Sequence, residues 1–295
     1  MPLVATLIAN PQSRALDAET AQAVASALDA LGPVWLAELT ACDITLPQGL
    51  EADRAETILA DALAGRPVDH AVQEAATRRK KALIADMDST MIGQECIDEL
   101  ADEAGLRDRV SAITARAMNG EIEFEPALRE RVALLKGLPV AVVGKVIAER
   151  ITLAAGGREL VATMRANGGH TMLVSGGFTS FAGPIAGRLG FDEFGANVLG
   201  EADGFFDGTV AEPILGKQAK VDALNRAAGE HGLVPDDFIA VGDGANDLAM
   251  LSLAGTGVAL HAKPSVAAQA RVRIDHGDLT ALLYLQGYRR AEFVG

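Results

Sequence analysis

Cysteine, aromatic residues and long apolar runs are all scarce in this chain, and each scarcity excludes a class of protein. Only Cys42 and Cys96 are present, so a disulfide framework is excluded, and the absence of a CxxC spacing or a histidine pair makes a zinc site unexpected. No apolar run approaches the roughly 20 residues that a membrane-spanning helix needs. The first residues also lack the pattern of a signal peptide, so we expect a cytoplasmic protein.

Positive charge is scarce as well, because 26 Lys and Arg face 40 Asp and Glu and leave a net charge of −14. Nucleic acids and anionic membranes reward a basic surface, so we expect neither as a partner. A small anionic substrate stays compatible with this charge, because a few local cations and a metal ion can outweigh the global field. No pattern sets the oligomeric state, and a homodimer is one open alternative.

The N-terminal segment shows short alternating elements. Residues 3–9 favour a strand, 34–46 favour one or two strands, and 18–31 and 52–63 favour helices. This βαββα order predicts a small α+β domain over residues 1–71. The charged stretch 72–81 that follows is typical of a linker helix.

From residue 82 onward, apolar strand patterns alternate with helical patterns, which predicts an α/β fold with a Rossmann-like parallel sheet. The expected strands are 82–87, 171–174, 238–242, 256–260 and 272–275. The expected helices between them are about 158–167, 178–189, 217–230 and 246–254. More than 80 residues separate the first two strands, far more than one crossover needs. We therefore predict a helical cap at 93–155, inserted into a core formed by 82–92 and 156–295.

Two of the predicted strands end in acidic pairs. Asp86 and Asp88 stand at the carboxyl end of the first strand, and Asp243 and Asp247 follow the third. Ligands of open α/β sheets bind at the carboxyl ends of strands, where these four side chains would converge. Carboxylates brought this close repel one another unless a cation lies between them. Oxygen ligands suit Mg²⁺, so the pattern predicts a magnesium site.

Phosphate chemistry fits the neighbouring residues. Ser175 and Gly176 end the second strand with a hydroxyl and exposed backbone amides, which suit a phosphate oxygen. Lys220 would place a cation near the same point. Asp86 could then attack phosphorus as a nucleophile, and Asp88 could act as general acid and base. Each motif alone is common in turns or on solvated faces, so the prediction depends on their order along successive βα units.

With these motifs in this order, the sequence resembles the haloacid dehalogenase superfamily over residues 80–290. The stretches DMDST at 86–90 and GDGANDLAM at 242–250, with Ser175 and Lys220 between them, carry the resemblance. Within the superfamily, the closer resemblance is to the phosphoserine phosphatase family. It lies in the residues that flank these motifs and in the stretch FEPALRERVALLKGLP at 124–139. That resemblance implies Mg²⁺-dependent hydrolysis of O-phospho-L-serine, a small-molecule substrate, through an aspartyl phosphate, as the last step of serine biosynthesis.

The resemblance also implies a role for each site residue. Asp86 would be the nucleophile and Asp88 the general acid and base, with Mg²⁺ held by Asp86, the backbone carbonyl of Asp88 and Asp243. Glu95 and Arg131 would bind the ammonium and carboxylate groups of the substrate. Further expected contacts are Ser175, Gly176, Lys220 and Asn246 to the phosphate, with Asp247 nearby and Met118 and Phe124 lining the pocket.

Three other interpretations stay open at this point. The chain could act on another phosphomonoester, pass the phosphoryl group to a second alcohol, or serve as a non-catalytic metabolite-binding regulator. An ion pump with the same aspartyl phosphate chemistry is excluded by the missing membrane segments. The N-terminal domain has the pattern of an ACT-like regulatory domain, and effector binding there is a hypothesis.

Overall fold

The N-terminal part of the computed structural model, which describes residues 2–295, is an antiparallel sheet with two helices. Its four strands lie in the order β2-β3-β1-β4. The elements are β1 (Leu3–Ala9), α1 (Ala18–Ala27), β2 (Val34–Ala37), β3 (Ala41–Thr45), α2 (Ala52–Ala62) and β4 (Val68–Glu74). Apolar residues of β1 and β3 pack with those of both helices into a core of their own.

The predicted linker helix at 72–81 is wrong, because the chain continues there as strand β4 and then as turns. Strand β4 pairs antiparallel with the whole length of β1, from Leu3 opposite Glu74 to Ala9 opposite Val68. These ladder hydrogen bonds override the local helical preference of a charged, Ala-containing segment. The N-terminal sheet therefore gains a fourth strand that the sequence pattern did not predict.

The second part contains a six-stranded parallel sheet, and the predicted α/β fold is confirmed. Its strand order is β12-β11-β10-β5-β6-β7. The strands are β5 (Ala82–Ala85), β6 (His170–Phe178), β7 (Glu193–Asn197), β10 (Phe238–Gly242), β11 (Thr256–Leu260) and β12 (Val272–Ile274). Strands β5 and β10 are fully buried, as expected for central strands covered by helices on both faces.

Helices cover both faces of this sheet. They are α7 (Gly157–Ala166), α8 (Thr179–Leu189), α9 (Lys217–His231), α10 (Leu248–Leu253), α11 (Pro264–Ala267) and α12 (Ala281–Leu285). Between β7 and α9 the chain forms a hairpin, β8 (Leu199–Ala202) and β9 (Phe205–Val210), that the sequence did not predict. Within residues 2–295, no helix has the length and apolar character to cross a membrane.

The long connection between β5 and β6 folds as four helices, in agreement with the expected helical insertion. They are α3 (Cys96–Glu103), α4 (Arg107–Met118), α5 (Phe124–Ala133) and α6 (Val142–Glu149). The insertion contacts the core where the backbone N–H of Ala245 donates to the carbonyl of Met118 at 3.0 Å. This contact holds the helical insertion against the loop that follows β10.

Candidate active site

Three neighbouring strands deliver their polar residues to one point. Asp86 directly follows β5, Ser175 lies near the end of β6, and Asp243 directly follows β10. Because β10, β5 and β6 are adjacent and parallel, their carboxyl ends meet at one edge. Carboxylate oxygens of Asp86, Asp243 and Asp247 lie within 4.8 Å of one another, all in buried side chains. The predicted convergence of acidic residues is therefore present.

Lys220 partly neutralises this acidic cluster from below. The side chain is 1% exposed, and its Nζ lies 2.5 Å from both Asp86 Oδ1 and Asp247 Oδ1. Burial acts to lower the pKa of Lys220, but the two carboxylates outweigh burial and raise the pKa well above its usual value. Lys220 is therefore a permanent cation inside the site.

The two ammonium groups that contact the cluster, those of Lys220 and Lys263, do not balance three carboxylates. Burial, then repulsion from Asp247, raises the pKa of Asp86 well above its usual value, against the pull of Lys220. Burial and Asp247 likewise raise the pKa of Asp243 to about 7. Burial is the larger cause of both shifts and repulsion between the carboxylates is the second, and a divalent cation would remove that repulsion.

Asp243 also has an oxygen available for such a cation. Its Oδ1 accepts a hydrogen bond from Thr90 Oγ1 at 3.0 Å, whereas its buried Oδ2 has no hydrogen-bond partner. Lys263 Nζ lies 3.3 Å from Oδ2 as an ion pair only. An unsatisfied buried carboxylate oxygen beside a second carboxylate fits a hard metal ion.

Both carboxylate oxygens of Asp247 already have partners within the protein. Its Oδ2 accepts the backbone N–H groups of Asp243 at 3.2 Å and Gly244 at 3.0 Å, while its Oδ1 contacts Lys220. A Cβ atom on Gly242 would lie 2.4 Å from the Asp247 carboxyl carbon, so only glycine fits there. Asp247 therefore shapes the loop and holds Lys220, and it is less free than Asp243 to bind a metal.

Asp88 lines the cavity beside this cluster, and its hydrogen-bond partner lies on the helical insertion. Its Oδ1 accepts the backbone N–H of Cys96, the first residue of α3, at 3.1 Å. Burial raises the pKa of Asp88 to about 6, although the hydrogen bonds from Cys96 oppose this shift. A carboxyl group with a pKa near neutrality can both give and take a proton, as a general acid and base must.

Ser175 and Gly176, near the end of β6, form another wall of the cavity. Ser175 Oγ accepts the backbone N–H of Gly177 at 2.8 Å, and a Cβ on Gly176 would lie 2.7 Å from the Phe124 ring. Buried Asn197 fixes this turn, because its Nδ2 donates to the Gly176 carbonyl at 2.9 Å. The same side chain also donates to the Leu215 carbonyl and accepts the Leu215 N–H, so it joins the turn to the segment before α9.

Glu95 and Arg131 approach the cavity from the helical insertion. Arg131 is 3% exposed, and its guanidinium group donates to the Ala127 carbonyl and to Thr114 Oγ1, with no carboxylate of residues 2–295 pairing with it. Glu95 accepts a hydrogen bond from Ser89 Oγ at 2.7 Å, and burial and then Asp88 raise the pKa of Glu95 to about 7. One unpaired cation and one acidic side chain therefore face the same cavity.

The structure brings all the residues predicted for the site together. The residues that line one cavity are Asp86, Asp88, Glu95, Met118, Phe124, Arg131, Ser175, Gly176 and Asn246. Asp243 and Lys220 lie directly beneath it, in contact with the same acidic cluster. Sequence reasoning missed Cys96, Thr114 and Asn197, which hold site residues in place, because no motif marks such contacts.

Comparison with known proteins agrees with this geometry. The family model of the haloacid dehalogenase-like hydrolases matches residues 83–252. A probable phosphoserine phosphatase of Schizosaccharomyces pombe is 44% identical over 211 residues, which cover 71% of this chain and 70% of the yeast protein.

Two solved structures extend the comparison. A phospho-aspartyl intermediate analogue of phosphoserine phosphatase shares 40% identity, covers 70% of this chain and 98% of that chain, and has a TM-score of 0.67. A probable phosphoserine phosphatase from Vibrio cholerae shares 30% identity, covers 99% of this chain and 88% of that chain, and has a TM-score of 0.75.

The chain belongs to the haloacid dehalogenase-like hydrolase family, whose model matches more than half of its residues. Within that family its similar relatives are phosphoserine phosphatases. The family resemblance expected from the motifs is confirmed.

Proposed function

We propose that the protein hydrolyses O-phospho-L-serine to L-serine and phosphate. The observation that carries the substrate is the pair of opposite charges on the helical insertion. Arg131 is a buried guanidinium group without a carboxylate partner, and Glu95 lines the same cavity without a cation partner. A zwitterionic amino acid supplies both missing partners, since a guanidinium fork matches a carboxylate and a carboxylate accepts from an ammonium.

In the first step Asp86 attacks phosphorus. Its Oδ1 is in contact with Lys220, so we assign the attack to the other oxygen, Oδ2. The new bond joins this oxygen to phosphorus while the bond between phosphorus and the serine oxygen breaks. Asp88, whose raised pKa of about 6 makes its protonated form accessible near neutral pH, gives its proton to the departing serine alkoxide.

In the second step Asp88 acts as a base. It takes a proton from a water molecule, whose oxygen attacks phosphorus, and the bond between phosphorus and Asp86 breaks. Phosphate leaves, and both carboxyl groups return to their starting states. Lys220, Ser175 and Asn246 would bind the phosphoryl oxygens during both steps.

Mg²⁺ is the cation that we propose for the acidic cluster. Asp86, Asp243 and the backbone carbonyl of Asp88 would hold it, because Asp243 Oδ2 is unsatisfied and the ligands are all oxygen atoms. When bound, the ion would neutralise the site and polarise a phosphoryl oxygen. A cytoplasmic location, a homodimer and an effector site in the N-terminal domain stay predictions.

Phosphate release from phosphoserine, phosphothreonine, several sugar phosphates and an aryl phosphate, with Mg²⁺ and with EDTA, tests this function. We expect Mg²⁺-dependent release with a preference for phosphoserine. Preference for a sugar phosphate would reject the substrate but keep the phosphatase, and no release from any ester would reject both.

Two variants of one helix sharpen the substrate test. Arg131→Ala should lower kcat/KM for phosphoserine by roughly 10²-fold or more, because the substrate carboxylate loses its charged partner. Its effect on the aryl phosphate should be small. Arg129→Ala is the matched control, since Arg129 lies on the same helix but is exposed and paired with Glu212. Equal losses on both substrates in Arg131→Ala would contradict the carboxylate role.

A further inference from the structure

Arg131 depends on a second layer of residues that the sequence motifs do not mark. Its Nε donates to the Ala127 carbonyl at 3.1 Å, and its Nη1 donates to Thr114 Oγ1 at 3.0 Å. Thr114 Oγ1 in turn lies 2.7 Å from Asp98 Oδ1 and 3.1 Å from the Val110 carbonyl. The three side chains of Arg131, Thr114 and Asp98 are all buried.

The direction of these hydrogen bonds follows from donor and acceptor chemistry. A guanidinium group can only donate, so the Thr114 hydroxyl must accept from Arg131 and has a single proton left to give. The shorter contact to the charged Asp98 oxygen is the stronger of its two possible acceptors. The chain therefore runs from guanidinium to hydroxyl to carboxylate.

A buried Arg131 cation needs negative charge nearby, and it also needs free N–H donors for a substrate. This arrangement supplies the charge without using those donors. Burial lowers the pKa of Arg131, and the nearby carboxylates of Glu95, Asp98 and Asp88 counter that effect through space. A carboxylate in direct contact would also occupy the guanidinium fork. Here the hydroxyl stands between them, and of the five N–H donors of Arg131 only two are used, which leaves three for a substrate.

We infer that Thr114, supported by Asp98, is a positioning residue that sets the specificity of the site for a substrate carboxylate. It fixes the guanidinium plane while leaving the remaining donors free for bidentate binding. The Asp98 charge stabilises the buried cation without competing for the substrate. This inference rests on the proposed function, because it requires a carboxylate-bearing substrate.

The test compares Thr114→Val, nearly identical in shape, with Thr114→Ser, which keeps the hydroxyl. In Thr114→Val we expect KM for phosphoserine to rise about tenfold with kcat within about twofold, as for a lost hydrogen bond to a charged group. The kinetic constants for an aryl phosphate should not change. Thr114→Ser should restore the KM of the unaltered protein. Thr163→Val is the matched control, since Thr163 is a buried helical threonine that contacts Val294 and not the site.

Asp98→Asn gives a second measurement that does not depend on how well the valine variant folds. It keeps an acceptor oxygen for the hydroxyl but removes the charge, and we expect a rise of roughly threefold or more in the same KM. An unchanged KM in both Thr114→Val and Asp98→Asn would overturn the inference, as would equal losses on the aryl phosphate. If the unaltered protein itself showed no preference for phosphoserine, the proposed function would fail first, which separates the two outcomes.

Discussion

Two buried groups of charged residues in this molecule differ in how completely they are paired. The acidic cluster of the candidate site contains Asp86, Asp243 and Asp247 around Lys220, and one oxygen of Asp243 lacks a hydrogen bond. The other group joins the N-terminal part to the core, and we call it the junction network; its residues are Thr6, Asp43, Asp69 and Arg78.

In the junction network every carboxylate oxygen has a donor. Arg78 binds both oxygens of Asp43, at 2.9 and 2.6 Å, and Thr6 donates to the first of them at 2.8 Å. Asp69 accepts the backbone N–H groups of residues 275, 276 and 277 in the loop after β12. A network in which every buried polar atom has a hydrogen-bond partner stabilises the fold. A network with an unpaired atom, which we call undersaturated, can still bind a ligand there.

The largest effect is expected from Asp86→Asn, which removes the proposed nucleophile. Phosphate release should fall by roughly 10⁴-fold or more. The melting temperature in EDTA should rise at the same time, because the neutral amide removes a buried charge and its repulsion from Asp247, the two largest causes that raise the pKa of Asp86. Calorimetry measures the melting temperature, and a phosphate assay on the same preparation measures the activity. A lower melting temperature would contradict the inference that the Asp86 charge destabilises the metal-free protein.

The opposite behaviour is expected of Arg78→Met in the junction network. Loss of the guanidinium group leaves the buried Asp43 carboxylate without its cation and with only the Thr6 hydroxyl as donor, which should lower the free energy of unfolding by about 3 kcal/mol. Catalysis at low temperature should be nearly unchanged, because Arg78 does not contact the cavity. Urea unfolding measures the first quantity and kcat the second. Arg66→Met is the control, since it removes an exposed charge from the same part of the chain.

The difference between these networks also explains what the sequence could predict. Strands β10 and β11 were predicted with correct ends, because buried parallel strands are short apolar runs bounded by polar residues. The convergence of Asp86 and Asp243 could be predicted because each directly follows such a strand. In physical terms, a residue at the carboxyl end of a buried strand has its position fixed by local pattern alone.

The rest depends on contacts between distant parts of the chain. Strand β4 exists because it pairs with β1, and the contact of Asp69 spans more than 200 residues. The hairpin β8–β9 lacks a buried apolar pattern, with Phe205 exposed, so no periodicity marked it. Asn197 and Thr114 act through side-chain hydrogen bonds whose partners only the folded structure identifies.

The smallest expected effect is the pH dependence of the stabilisation by Mg²⁺. It is also the most direct test of whether the Asp243 carboxylate lacks a partner in the metal-free protein. The pKa of Asp243 is raised to about 7 from a usual value of 3.8, by burial and then by Asp247. Its contribution to the stability of the metal-free protein is therefore complete below about pH 3.8 and is lost as the pH rises through about 7.

A bound cation would restore that lost stability, and protons compete with it at lower pH. The rise in melting temperature on adding Mg²⁺ should consequently be larger one pH unit above the Asp243 pKa than one unit below it. Asp243→Asn should show little rise at either pH, because the carboxylate that prefers the cation is gone. An equal rise at both values in the unaltered protein would mean that Asp243 is already saturated, and the contrast with Asp43 and Asp69 would then disappear.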